Sequence, residues 1–286
     1  MRTIKLLAVG ADPEVFWKTK VGVPQSVEGL IPGSKHDPFP VEKLGRGYFI
    51  QVDNVAAEYN IPPCVDAKSF SMAIGKGLKH ISTIARKQKF VLAIEPALHF
   101  PIEQVTTPHA LVLGCEPDFN AWLKARNPRP IPPMTLRTAA GHLHFSWYSP
   151  LDGKPPTEDE KENIIRLADV YLGVPSILVT EKSERRNLYG KAGCFRPKEY
   201  GAEYRTLDNF WIAHKQYREH AFNESKRLFS LLNAQKDLLI DHVEEWGDEI
   251  QQCINNHDPD MALHLMNIFN ANPWPIICKK DRCHVA

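Results

Sequence analysis

Hydrophobic and polar positions follow two different rhythms along the chain. In the first two-thirds, short runs rich in β-branched and aromatic residues are cut by Pro and Gly turns, which predicts strands at residues 3–10, 14–18, 47–52, 90–94, 110–114 and 137–148, with a further extended stretch at 200–207. Between them, Phe70, Ile74, Leu78, Ile81 and Ala85 recur at helical spacing, predicting a helix over 66–89 with Asp66 or Ser69 as cap. A proline- and polar-rich stretch at 149–156 leads into a second helix. There Thr157 and Glu160 form a capping-box pattern ahead of Ile164, Ile165, Ala168, Tyr171 and Leu172. Beyond Asp208 the pattern is helical, over 209–234, 236–255 and 259–270, the last with Asp258 as cap and Pro259 at its first position. No internal repeat is visible. This order predicts an α+β fold, a mostly antiparallel sheet with helices packed on one face, followed by a C-terminal helical segment. The expected division is a domain at 1–235 and a helical extension at 236–286.

Composition narrows the class of protein. With 286 residues, 43% of them hydrophobic, there is material for one large core. Lys and Arg total 35 against 34 for Asp and Glu, a net charge of +1, which argues against global disorder and against a nucleic-acid or acidic-membrane binder. No apolar run reaches the roughly 20 residues that span a bilayer. The first ten residues turn polar too soon for a secretory signal, so the expectation is a cytoplasmic protein with reduced thiols, in the host cytoplasm if phage-encoded. Of the six cysteines, Cys278 and Cys283 with His284 could form part of a zinc site, but the spacing is not C-x2-C and no fourth ligand is evident.

Residues i and i+2 of a strand share a face, so polar pairs at that spacing can converge in one cleft. Four such pairs occur: Asp12 and Glu14, Glu58 and Asn60 downstream of Asp53, His142 and His144, and Glu203 and Arg205. The ordinary reading of any one pair is the wet face of a half-exposed strand. Three are less ordinary: Asp12 and Glu14 at a strand end; His142 and His144 among aromatics, after Gly141, where backbone can approach a ligand closely; and Glu203 coupled to an arginine. Together they offer carboxylates and imidazole suited to a divalent ion. Arg185, Arg186, Lys191, Arg196 and Lys198, interleaved with Gly190, Gly193 and Gly201, suit phosphate or carboxylate recognition, against the alternative of a basic surface loop. Phosphate-loop, dinucleotide, H-E-x-x-H and G-x-S-x-G patterns are absent. Cys194 beside the basic loop reads as a buried structural thiol rather than a nucleophile.

The segment Gly141-His142-Leu143-His144-Phe145-Ser146 resembles the G-x-H-x-H-x-S strand of the glutamine synthetase superfamily, with Asp12-x-Glu14 and Glu203-x-Arg205 in the same chain order as its acidic pair and late Glu-x-Arg. Gly10 to Glu14, Asp53 to Pro63, Arg185 to Gly193 and Tyr200 to Arg205 are more specifically similar to the phage-type carboxylate–amine ligases (type 2) of that superfamily. The resemblance spans roughly residues 1–235. It implies a glutamine synthetase-like ligase domain and an enzyme that forms an amide (peptide or isopeptide) bond with ATP and Mg2+ or Mn2+ through an acyl phosphate. Glu14 and Glu58 would hold one ion, and His142 and Glu203 with Asp12 another. His144 and Ser146 would face the nucleotide. Arg196 and Arg205 would contact phosphate or the carboxylate, helped by Arg185, Arg186 and Lys191. The family's first pair is Glu-x-Glu, so Asp12 departs from it. Partners would be small-molecule or peptide carboxylate and amine substrates, with self-association through the C-terminal helices open. A metal-dependent amide hydrolase and a non-catalytic interaction protein on a ligase fold are the alternatives.

Overall fold

The computed structural model describes residues 3–111, 118–151, 153–235 and 237–277. Its centre is β1 (Lys5–Lys18), a strand of 14 residues. Around it lie β2 (Phe49–Asp53), β3 (Ala56–Asn60), β4 (Val91–Ala93), β5 (Gly141–Tyr148), β6 (Cys194–Lys198) and β7 (Gly201–Tyr204). Among the described residues they form part of an 11-stranded sheet with the order β2-β3-β1-β5-β7-β6; β4 and a short strand at Pro24–Gln25 pair with the far end of β1, and short strands at Phe39–Pro40, Phe119–Asn120 and Ala125–Arg126 extend the edges. Every pairing between these strands is antiparallel.

The sequence of β5 shows why one face packs and the other stays polar. Leu143, Phe145 and Trp147 are at most 2% exposed, whereas His142, His144 and Ser146 alternate with them onto the opposite face. Val9, Ala11 and Val15 of β1, Tyr59 of β3, and Ala202 and Tyr204 of β7 continue the apolar face. It is covered by α1 (Ala67–Lys87), α2 (Glu158–Ala168) and α3 (Lys215–Gln235). Phe70 of α1 stacks on Trp211, and Phe229 of α3 meets Phe145 and Trp147. Each such side chain contributes roughly 1.5–3 kcal/mol by leaving water. A one-residue slip of β5 would put both histidines into this core, so the apolar face sets the register on which the polar face depends.

The expected α+β fold with a mostly antiparallel sheet is borne out. Asp66 caps α1 by accepting from the Ser69 N–H, Thr157 and Glu160 make the reciprocal capping box of α2, and Asp258 caps α6 (Pro259–Phe269). Some boundaries differ. The strands expected at 3–10 and 14–18 are one strand, because Pro13 stands opposite Gly141 at the last pair of the β1–β5 ladder, where its missing N–H is not needed. The expected strand at 137–148 is divided: Leu136–Thr138 pairs with Ala97–His99 in a separate two-stranded sheet, and β5 begins at Gly141. Ala110 and Leu111 lie in a helical turn, Pro108–Leu111, started by Pro108 and by the Thr107 hydroxyl accepting from the Ala110 N–H; the rest of 110–114 lies outside the described residues.

The helix expected at 209–234 starts later, at Lys215, after a 3-10 turn at Phe210–Ile212. That expected at 236–255 is two, α4 (Asp237–Glu245) and α5 (Gly247–Asn256), broken at Trp246. Leu239 of α4, Ile254 of α5 and Leu265 of α6 join the same hydrophobic core as the sheet. Cys278, Cys283 and His284 lie outside the described residues. Among the described residues no helix is long and apolar enough to cross a membrane.

Candidate active site

The polar face of the sheet is built by register. Asp12 stands opposite His142, Gly10 opposite His144, Glu14 opposite Glu58, and His144 opposite Glu203, which in turn faces Arg196. Cross-strand partners point to the same side, so five strands deliver their polar residues to one cleft. Its outer lobe is a cavity of about 660 Å³ reaching Lys35, Phe49, Asn60 and Arg196. An inner lobe of about 60 Å³ reaches Asn54, Arg137, Arg185 and Tyr189. Glu14, Asp53, His142 and Arg205 form the wall that both lobes share.

Two groups of possible metal ligands lie on this polar face. Glu14, Asp53 and Glu58 bring carboxylate oxygens within 4.8 Å of one another, and Asp12, His144 and Glu203 do the same with two carboxylates and an imidazole. In the first group the Glu14 carboxylate accepts from the Ala140 N–H at 2.8 Å, and Glu58 accepts from the Gln51 amide at 2.8 Å. Burial, then the neighbouring charges of Asp53 and Asp12, pushes the Glu14 carboxyl up to about 8. Burial and the charges of Asp12, Asp53 and Glu14 raise Glu58 well above the usual carboxylate range. Buried carboxylates that repel one another in this way suit a hard divalent cation, which would supply the missing positive charge.

The second group is already supplied with positive charge. Arg196 lies 3.1 Å and Lys198 2.8 Å from Glu203, which also pairs with the Arg205 guanidinium; the Arg205 Nε–H donates to Asp118 at 2.9 Å. Burial raises the Glu203 carboxyl, but Arg205 and the two histidines outweigh it and hold it well below the ordinary value. Asp12 behaves likewise: burial opposes ionisation, and His144 and His142, each 3.2 Å away, hold the carboxyl low. His142 is shifted down, by burial and then by Arg205. His144 is shifted up, because Asp12 and Glu203 overcome its burial, and its Nδ1 lies 2.8 Å from the Tyr200 hydroxyl. Asp12 Oδ1 and His144 Nε2 are buried without an aligned hydrogen bond despite their short contacts, as donor atoms turned toward an ion would be.

The sequence-derived residues fall into place unevenly. Glu14 and Glu58 are together as expected, joined by Asp53. Asp12 and Glu203 are together with His144 as the third member, and His142 lies beside them, its Nδ1 3.6 Å from Glu203. Arg196 and Arg205 flank Glu203. Arg185 lines the inner lobe, 3% exposed, with its guanidinium donating to the Arg205 and Thr206 carbonyls. Arg186 turns elsewhere and donates to the Gly190 and Thr206 carbonyls. The side chain of Lys191 is exposed, and it is Lys198 that pairs with Glu203. Ser146 sits opposite Gly201 on the polar face, one pleat beyond His144. Gly141 serves the core rather than a ligand: a Cβ there would meet the Trp211 indole nitrogen at 2.7 Å, and that nitrogen donates to the Gly141 carbonyl. Burial, then Asp118, raises the Cys194 thiol well above its ordinary value, as suits a structural role.

Asp53 and Asp118 are absent from the residues expected at the site, and Lys198, expected only as part of the cationic cluster, pairs with Glu203. Asp53 shares the face of Gln51, two residues away on the strand that pairs with the Glu58 strand, a placement that only the pairing sets.

Fold and site together define an α+β protein in which one face of a mostly antiparallel sheet is a cleft of carboxylates, imidazoles and guanidinium groups. Residues 132–245 match the model of a family described as phage phiEco32-like COOH.NH2 ligase-type 2. The ligase resemblance drawn from the sequence is thus borne out over that stretch, which contains His142, His144, Arg196, Glu203 and Arg205. No curated protein matches the chain. Among solved structures, apo GmaS without ligand is 10% identical, with 99% of this chain and 72% of that one covered at a TM-score of 0.42. A novel glutamine synthase homolog is also 10% identical, with 91% and 66% covered at a TM-score of 0.38.

Proposed function

We propose that the protein is an ATP-dependent carboxylate–amine ligase, forming an amide (peptide or isopeptide) bond through an acyl phosphate. The observation that carries this reading is the pairing, on one sheet face, of a mutually repelling carboxylate trio with a second acidic group ringed by Arg196, Lys198 and Arg205. The supporting comparison is the ligase-family match over half of that face.

In this reading Glu14, Asp53 and Glu58 hold one Mg2+ or Mn2+, and Asp12, His144 and Glu203 hold a second beside His142. Bound divalent ions would neutralise triphosphate charge and link its oxygens to the protein. Arg196, Lys198 and Arg205 neutralise the phosphoryl group in transfer, and the outer lobe, within the roughly 300–1,000 Å³ of ligand pockets, takes the nucleotide. Arg185, at the inner lobe, orients the substrate carboxylate. One carboxylate oxygen attacks the γ-phosphorus and the bond to ADP breaks. The amine then attacks the acyl carbon, phosphate leaves with its oxygen, and the amine gives up a proton.

The test is incubation with Mg-ATP and pools of carboxylates and amines, with mass spectrometry for an amide product and for ADP and phosphate. An 18O label in the carboxylate is expected in the released phosphate. Amide cleavage that proceeds without nucleotide would replace this reading with the hydrolase.

A further inference from the structure

Asp169 is a fully buried carboxylate that the reaction described above does not use. It sits where α2 ends and widens into a π-helical turn, Asp169–Gly173, and all four of its hydrogen-bond partners are neutral donors. The Trp122 indole N–H donates to it at 2.7 Å, the Tyr204 hydroxyl at 2.8 Å and the Thr206 hydroxyl at 3.1 Å, with the Gly193 N–H as the fourth. A buried carboxylate without a counter-charge is costly, so the bonds it makes must do something an apolar side chain would not.

The positions of those donors indicate what that is. Tyr204 and Thr206 alternate with Glu203 and Arg205, so a carboxylate gripping the first two from behind fixes the facing direction of the second two. Gly193 opens the strand that carries Arg196, and its backbone, at φ +76°, passes so close that a Cβ would meet Trp122 at 2.5 Å. Trp122 lies four residues beyond Asp118, which accepts from Arg205 on the cleft side. One carboxylate behind the sheet therefore ties together the segments that present Asp118, Arg196, Glu203 and Arg205 in front of it. A π-turn at such a place is a recurrent companion of functional sites.

We infer that Asp169 is a positioning residue for the cation-rich half of the cleft, setting the pose of Glu203, Arg205 and Arg196 through their back-face neighbours. The inference rests on the ligase reading only for its nucleotide readout.

The experiment compares the parent with Asp169→Asn and Tyr204→Phe. Asn at 169 sets an amide N–H2 against two of the four donors, and Phe at 204 removes a single hydroxyl. Three quantities are measured: calorimetric affinity for Mg2+ with a non-hydrolysable ATP analogue, Mn2+ affinity without nucleotide, and the NMR signal of the Arg205 Nε–H. Asp169→Asn is expected to weaken the nucleotide roughly 10- to 100-fold and Tyr204→Phe by less, with the double variant no worse than Asp169→Asn alone. Mn2+ affinity at Glu14, Asp53 and Glu58 stays within about twofold, and the Arg205 signal shifts or broadens in both variants.

A merely structural role would lower Mn2+ affinity and thermal stability together and leave the Arg205 signal in every folded variant as in the parent; that result overturns the inference. If Asp169→Asn does not fold, Tyr204→Phe decides by the same readouts. If the parent binds no Mg-nucleotide, the ligase reading fails, and the Arg205 signal alone then decides the role of Asp169.

Discussion

The two acidic groups of the cleft differ in where their compensating charge comes from. Glu14, Asp53 and Glu58 face one another, Gln51 donating to Glu58 and the Ala140 N–H to Glu14, and burial with the charges of Asp53 and Asp12 pushes the Glu14 carboxyl up to about 8. Glu203, 0% exposed, lies in contact with Arg196, Lys198 and Arg205 and is held low. In the ligase reading the first group would take its ion first, and the second would take one only when something more negative, such as a triphosphate, draws its cations away. In this chain, then, charge that repels itself marks where an ion would enter first, and charge already paired marks where the phosphate would be read.

Substitutions should pull the two groups in opposite directions. The largest effect is expected from Glu203→Ala, which leaves three cations around an empty place: turnover falls by roughly 10²–10³-fold or more, measured as ADP release with the substrate pair found by mass spectrometry. Second is Glu58→Gln. It relieves repulsion, so the metal-free protein gains about 1 kcal/mol, read as a rise of roughly 2–4 °C in Tm with chelator present, while stabilisation by added Mn2+ is lost. Glu203→Gln should instead lower Tm under the same conditions, and a rise there would break the contrast.

The third prediction concerns pH. Asp169 behind the cation-rich half is raised by burial from 3.8 to about 6 in the folded protein. The folded state therefore binds the extra proton, and the contribution of Asp169 to stability falls as pH rises from about 4 to about 6. Relative to Asp169→Asn, the parent should gain up to roughly 1.4 kcal/mol per unit on acidification through that window, measured by denaturant unfolding. The smallest effect separates two lysines: Lys198→Ala weakens Mg-nucleotide by roughly tenfold, whereas Lys191→Ala, whose side chain is exposed, stays within about twofold.

Much of this site was legible in the sequence because strand alternation is local. The i and i+2 pairs at Asp12, His142 and Glu203 needed only the period of a strand to share a face, and chain order matched them to a ligase pattern. What stayed hidden depends on pairing between distant strands. Asp53 joins Glu14 only because β2 and β3 form a hairpin laid against β1. Lys198 displaces Lys191 because β6 pairs with β7 in the register that sets Arg196 opposite Glu203. In sequence Asp169 is one polar position beside Ala168, and nothing local distinguishes a surface carboxylate from one that three segments converge upon. The helix expected at 236–255 divides at Trp246, directly before Gly247, with no proline and no side-chain cap to mark the break.

The two-ion reading is tested most directly by the number of Mn2+ ions bound per chain, counted by electron paramagnetic resonance with and without a non-hydrolysable ATP analogue. One ion is expected without nucleotide, lost in Glu58→Gln, and a second only with nucleotide, lost in Glu203→Gln. Mn2+ binding that ignores both the nucleotide and these two substitutions would contradict it.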